Sequence, residues 1–151
     1  MAMIAIGADH AGVRLKAEIA EYLRSRGIAV EDVGTFDETS TDYPDYAEKV
    51  GRLVVDGVAD RGILICGTGI GVSISANKIA GIRAALCSET FSARMSREHN
   101  DANVLCLGAR VVGGGVALDI VGSWLEAAFA GGRHQRRVDK IGALERGALA
   151  R

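Results

Sequence analysis

The chain has 151 residues, a formal net charge of −1 and 25% charged residues. That length suits one domain, which buries roughly 68–70% of its unfolded surface, and the balanced charge gives no pull toward nucleic acid or an acidic membrane. No apolar run approaches the ~20 residues of a membrane span, and the start MAMIAIGADH lacks a basic residue and does not read as a signal peptide, so a cytoplasmic location is expected.

The elements follow in chain order. Met3–Ile6 reads as a first strand, ended by Gly7-Ala8-Asp9-His10-Ala11-Gly12. Leu15, Ile19, Tyr22 and Leu23 fall at i, i+4, i+7 and i+8, one face of a helix. Ile28–Val33 is a second strand. Asp42-Tyr43-Pro44-Asp45-Tyr46 reads as a helix start with Pro44 near its first turn, and Tyr46, Val50, Leu53 and Val54 repeat the helical spacing. Gly62–Ile65 is a third strand. It leads into Cys66-Gly67-Thr68-Gly69-Ile70-Gly71 and a helix-compatible stretch, Val72-Ser73-Ile74-Ser75-Ala76-Asn77-Lys78. Arg83–Cys87 and Val104–Leu107 are the fourth and fifth strands, with a helix from about Ser88 to Glu98 between them. Val116, Ile120, Trp124 and Ala128 mark a longer helix, and Val138–Leu149 a last one.

All five strand candidates are apolar and short, as strands buried on both faces should be. With one proline, Pro44, and no low-complexity stretch, nothing suggests an internal linker, so residues 1–151 are expected to form a single domain. The alternation of strands and helices argues an α/β fold. The expected form is a three-layer Rossmann-like parallel five-stranded sheet with helices on both faces and a C-terminal helical extension. In such sheets ligands bind at the carboxyl ends of strands. Gly7–His10, Cys66–Gly71 and Gly108-Ala109-Arg110 should therefore converge.

The segment after the third strand carries the sharpest chemical signal. A glycine-rich turn between a strand and a helix aims backbone N–H groups at one point, which favours negative charge. Cys66 stands at its lip. A dinucleotide fingerprint would need glycine where Val72 stands, and a P-loop would need Gly-Lys-Ser/Thr, which does not occur. A thiol phosphatase loop would carry arginine six residues after the cysteine, again the place of Val72. A different anion is wanted, and an enediolate is one candidate. Cys87 and Cys106 lie in apolar runs and read as inert core thiols, and three scattered cysteines make no disulfide framework. His10 and His99 adjoin strand or helix ends; His134 lies in Arg133-His134-Gln135-Arg136-Arg137, a patch suited to a phosphate monoester. No His/Cys/Asp set has metal-ligand spacing, so no metal is expected.

Five ordered motifs, Gly7–Gly12, Asp42–Ala47, Cys66–Gly71, Glu98–Leu105 and Leu107–Arg110, closely resemble the type B ribose-5-phosphate isomerases, whose fold is shared by galactose-6-phosphate isomerase subunits. The resemblance runs from Met3 to about Arg137. It implies an aldose–ketose isomerase, working through a cis-enediolate without cofactor or metal. Its residue roles carry over as follows. Cys66 would be the base that moves a proton between C2 and C1. Thr68, with the loop amides of Gly67, Gly69 and Gly71, would hold the enediolate oxygen, with Ser73 also at the substrate. His99 would open the furanose ring. Asp9, Tyr43 and Asn100 would contact sugar hydroxyls, and His10, Arg110, Arg133 and Arg137, with His134 alongside, would grip the phosphate. The resemblance also implies a homodimer, or a tetramer of dimers, with sites shared so that His99, Asn100 and Arg110 serve the neighbour's Cys66. One branch of the family places a glutamate inside the loop as base; Gly71-Val72-Ser73 holds none, so the cysteine route applies here.

Ribose 5-phosphate is the substrate first expected. Allose 6-phosphate, galactose 6-phosphate or a tetrose phosphate would use the same mechanism. A non-catalytic sugar-phosphate-binding module would have no need of Cys66 or His99. Neither a nucleic acid nor a membrane is an expected partner.

Overall fold

The computed structural model describes residues 3–147. Five strands, β1 (Met3–Ala8), β2 (Ala29–Asp32), β3 (Arg61–Cys66), β4 (Ala84–Leu86) and β5 (Val104–Gly108), form one parallel sheet in the order β2-β1-β3-β5-β4. The chain moves outward from β1 to β2, then crosses to β3 on the other side of β1. The strand order thus reverses between β1 and β3, and ligands of open α/β sheets bind in the crevice at such a point.

Helices α1 (Val13–Ser25), α2 (Tyr43–Val55), α3 (Ile70–Ala76), α4 (Thr90–Glu98) and α5 (Gly114–Glu126) link or follow the strands. Alternate residues of the central strands point to opposite faces. Ile4, Ile6, Ile63, Ile65, Leu105 and Leu107 pack under α1, α4 and α5, against Leu15, Ile19, Ala93, Ile120 and Trp124. Ala5, Leu64, Cys66, Val104 and Cys106 pack under α2 and α3, against Ala47, Val50, Val72 and Ala76. This is the expected three-layer arrangement.

Two expectations need correction. Only β1, β3 and β5 are buried on both faces. In β2, Ala29 and Glu31 are exposed, and in β4 Leu86 is exposed. Both strands are sheet edges, where one side has no neighbouring strand. The last helix, α6, spans Arg133–Glu145 and starts earlier than Val138, so the basic cluster forms its first turns. Gly131 and Gly132, both at positive φ, break the chain immediately before it and set that start. The expected end at Leu149 lies outside the described residues.

Lys16 is buried in α1, where the helical spacing alone suggested an apolar face. Its ammonium donates to Asp32 at 2.6 Å, at the end of β2. The other Asp32 oxygen accepts the Gly34 N–H at 2.9 Å, which fixes the start of the segment between β2 and α2.

Candidate active site

Three segments meet at the carboxyl ends of the central strands, as expected. Cys66 closes β3 in register with Gly108. The Ala109 amide donates to the Cys66 carbonyl and the Arg110 amide to the Gly67 carbonyl, both at 2.9 Å, while the Asp9 amide donates to the Ile65 carbonyl at 3.3 Å. These bonds continue the sheet ladder into the loops and hold them side by side.

Cys66 is 5% exposed, and its Sγ accepts the Gly69 N–H at 3.1 Å. Two glycines make that contact possible. Gly69 has φ of 79°, and a Cβ there would stand 2.8 Å from the Leu107 carbonyl carbon. A Cβ on Gly108 would stand 2.6 Å from the Thr68 carbonyl. The loop can fold back over its own sulfur only because both side chains are missing. Thr68 Oγ1 accepts the Ile70 N–H at 3.2 Å. Ser73 directs its hydroxyl proton to the Ile70 carbonyl at 2.7 Å, inside α3, so that proton is already engaged.

Other expected site residues ring this loop. The Tyr43 ring lies over Gly71, where a Cβ would stand 2.6 Å from Cζ. Asp9 is buried and caps the single 3-10 turn His10–Gly12 by accepting the Ala11 N–H at 3.0 Å. His10 Nδ1 accepts the Thr41 N–H at 3.1 Å, so the neutral ring carries its proton on Nε2. Arg110 is exposed, and its Nη1 lies 3.4 Å from where a Gly67 Cβ would be. Within one chain it lies beside the Cys66–Gly71 loop.

The remaining expected residues are elsewhere. His99 and Asn100 follow α4, which runs back from the end of β4 toward the start of β5. Arg83, directly before β4, donates to the Asn100 carbonyl at 3.0 Å, which places this turn at the amino end of the sheet. The rise of β5, about 16 Å at ~3.3 Å per residue, separates that level from Cys66. The His99 ring stacks on His134, with centroids 4.2 Å apart and planes 10° from parallel. Arg133 and Arg137 are exposed and flank His134 on α6. Burial, followed by the neighbouring His99, Arg133 and Arg137, pushes the His134 pKa down. The expected residues thus fall into two separate groups. Asp9, His10, Tyr43, Cys66, Gly67, Thr68, Gly69, Gly71, Ser73 and Arg110 stand at one end, and His99, Asn100, Arg133, His134 and Arg137 at the other.

Burial pushes Cys87 up to about 11, and complete burial raises Cys106 further. Among the described residues no three His, Cys, Asp or Glu side chains gather as metal ligands, and no helix is long and apolar enough to cross a membrane.

A profile of the ribose/galactose isomerase family matches residues 4–141. The chain belongs to the ribose/galactose isomerase family. Ribose-5-phosphate isomerase B of Escherichia coli is 56% identical over 145 residues, 96% of this chain and 97% of that one. D-erythrulose-4-phosphate isomerase of Pectobacterium atrosepticum is 48% identical over 147 residues, 96% of each chain. The structure of ribose-5-phosphate isomerase B from Clostridium thermocellum matches with a TM-score of 0.96 at 58% identity, over 97% of this chain and 99% of that one. As a member of the ribose/galactose isomerase family the chain is an aldose–ketose isomerase.

Some of what matters here left no trace in the motifs. The Thr41 amide that sets the His10 tautomer and the Arg83 contacts behind Asn100 depend on contacts across 31 and 17 residues of sequence.

Two predictions follow from the charges. Iodoacetamide should modify Cys66 in the native protein before Cys87 or Cys106, because burial pushes the latter two thiols up and the Gly69 N–H is aimed at Cys66 Sγ. Peptide mass spectrometry after timed quenching reads the order, and equal rates would contradict it. For His134 the folded pKa is below the 6.5 of the free ring, so the unfolded chain takes up the proton first. Its contribution to stability is therefore complete above 6.5 and is lost as pH falls through that value toward the folded pKa. The thermal midpoint should drop from pH 7 to pH 5.5, and His134→Gln should flatten that drop.

Proposed function

We propose that this enzyme interconverts ribose 5-phosphate and ribulose 5-phosphate through a cis-enediolate, with Cys66 as the base. The observation that carries the reading is the Gly69 amide on Cys66 Sγ at the carboxyl end of β3. An N–H aimed at sulfur supports the thiolate, the form that accepts a proton.

The chemistry runs in balanced steps. His99 moves protons at the ring oxygen and the C1 hydroxyl, and the furanose opens to the aldehyde. The Cys66 thiolate takes the C2 proton; that electron pair forms the C1=C2 bond and the charge passes to O1. The thiol returns its proton to C1, and transfer of the O2 proton to O1 leaves the C2 ketone. Thr68 already accepts from Ile70, which leaves its hydroxyl proton to donate to the enediolate oxygen. The Gly69 amide serves the sulfur, so the oxygen is left to the other loop amides. No step calls for a metal or a redox cofactor.

His10, through Nε2–H, and Arg110 supply phosphate donors beside the loop. Arg133 and Arg137 supply the rest from the half-site that contains His99. Binding a remote dianion orients the reacting carbons, which raises the rate without touching them. Because Cys66 and His99 stand at opposite ends of one sheet, the reading requires two copies of the chain, each giving one half of a site. Cytoplasmic metabolism is the setting that fits such an enzyme.

The preferred sugar is supported by the names of the relatives at 56% and 58% identity. A four-carbon phosphate is the second reading, because a relative at 48% is named for one. Initial rates on purified protein over four-, five- and six-carbon aldose phosphates decide between them; a higher kcat/KM for a tetrose or hexose phosphate would displace ribose 5-phosphate.

The shared site makes a sharper prediction. Cys66→Ala and His99→Ala should each be nearly inactive on ribose 5-phosphate, Cys66→Ala with binding largely intact. Mixed after unfolding, the two variants should recover about a quarter of wild-type activity, because half of the randomly formed dimers contain one intact site of two. No recovery would mean that both residues act within one chain or that one of them does not act. The roles also separate. His99→Ala should lose far more turnover of ribose 5-phosphate than solvent deuterium exchange at C1 of ribulose 5-phosphate, an open ketose that needs no ring opening. Equal losses by NMR would assign His99 to the enediolate step.

A further inference from the structure

We infer that Asp101, clamped between Arg83 and Arg97, is a positioning residue that fixes the turn carrying His99 so that the imidazole meets the substrate of a second copy. The inference rests on the proposed role of His99 and adds to it a residue that touches neither substrate nor Cys66.

Among the described residues Asp101 is the single non-glycine at positive φ, 47°. Helices commonly end on such a left-handed residue, and glycine is its usual occupant because a Cβ is disfavoured there. Here the backbone reverses over Asp101, with the Asp101 N–H on the Arg97 carbonyl at 3.2 Å and the Ala102 N–H on the Ser96 carbonyl at 2.9 Å. A glycine would close that turn without strain, so the aspartate needs another reason.

Its partners supply one. Arg83 Nε donates to the carbonyls of Asn100 and Asp101 at 3.0 and 3.2 Å, and its Nη2 donates to the Asp101 carbonyl at 2.9 Å. The Asp101 carboxylate lies between Arg97 Nη1 at 3.0 Å and Arg83 Nη2 at 3.5 Å. Arg97 is buried and also donates to the Ala102 carbonyl at 2.6 Å. Arg83 is itself pinned to the sheet, its N–H on Asn103 Oδ1 at 2.8 Å. Arg61 is the third cation here; burial and then Arg97 draw it down to about 10, while Asp101 and Asp60 act the other way. One carboxylate thus neutralises clustered guanidinium groups, and the backbone carbonyls of Asn100 and Asp101, the two residues after His99, are both held by Arg83. The ring itself is held on its face by His134. A side chain offered to a neighbouring molecule gains nothing from its own substrate's contacts, so its orientation must be built in beforehand.

The test is Asp101→Gly, which tolerates the backbone angle and removes the carboxylate from between Arg97 and Arg83, while the Arg83 bonds to the Asn100 and Asp101 carbonyls stay available. Three readouts are taken on the full-length protein: thermal midpoint, ribose 5-phosphate turnover, and C1 deuterium exchange of ribulose 5-phosphate. The midpoint should stay within a few degrees of wild type. Turnover should fall about tenfold, as a small misplacement of a catalytic group costs, and exchange should stay within about twofold. Arg83→Lys, which keeps the charge but loses the fork of donors, should shift the readouts the same way and stands in if the glycine variant folds poorly. A purely structural role would lower turnover and exchange together, and that result overturns the inference, as does no change in either. His99→Ala runs alongside. If it loses turnover while Asp101→Gly does not, the positioning claim alone fails. If His99→Ala keeps full turnover, the role of His99 fails and this inference goes with it.

Discussion

Parallel pairing of all five strands is the constraint from which the arrangement of the site follows. Every strand runs the same way, so every helix must return the chain to the amino end before the next strand begins. Residues that follow a strand collect at one end of the sheet, and residues that follow a helix collect at the other. Cys66 follows the run of β3, and His99 follows α4. No side-chain rotation can bring them together within one chain. Two separate groups of polar residues, one at each end of the sheet, are the direct product of sheet topology.

Within that frame the local devices are small. At the carboxyl end, a left-handed Gly69 and a Cβ-free Gly108 let a six-residue loop lie against β5 and aim one amide at Cys66 Sγ. At the amino end, two arginines and a stacked histidine hold the His99 turn. Burial pushes the Cys87 and Cys106 thiols up.

Much of this was legible in the sequence, for reasons that can be given residue by residue. β1, β3 and β5 announce themselves because strands buried on both faces must be apolar throughout. Cys66–Gly71 announces itself because a tight backbone approach requires glycine at fixed spacing. The edges are not legible because Ile28–Val33 and Arg83–Cys87 are also rich in apolar residues, and composition does not say which strand lacks a neighbour. The start of α6 is hidden because Arg133–Arg137 contains no apolar period; the glycines at 131 and 132 are its one signal. Lys16 and the Asp101 clamp were not legible at all. Each depends on partners between 4 and 18 positions away that only the folded chain brings close.

The separation of the half-sites bears on specificity. On the proposed reading, Cys66 comes from one copy of the chain and Arg133 and Arg137 from another. The span between the reacting carbons and the phosphate is then set by how two copies pack, together with the loop that carries Arg110. Motifs record which groups are present, not the distance between two molecules. Enzymes with the same loops can therefore act on sugars of different length, and relatives at 56% and 48% identity named for five- and four-carbon substrates are consistent with that. Chain-length preference in this family should accordingly move with substitutions at the contact between copies, while the proton transfer at Cys66 stays the same.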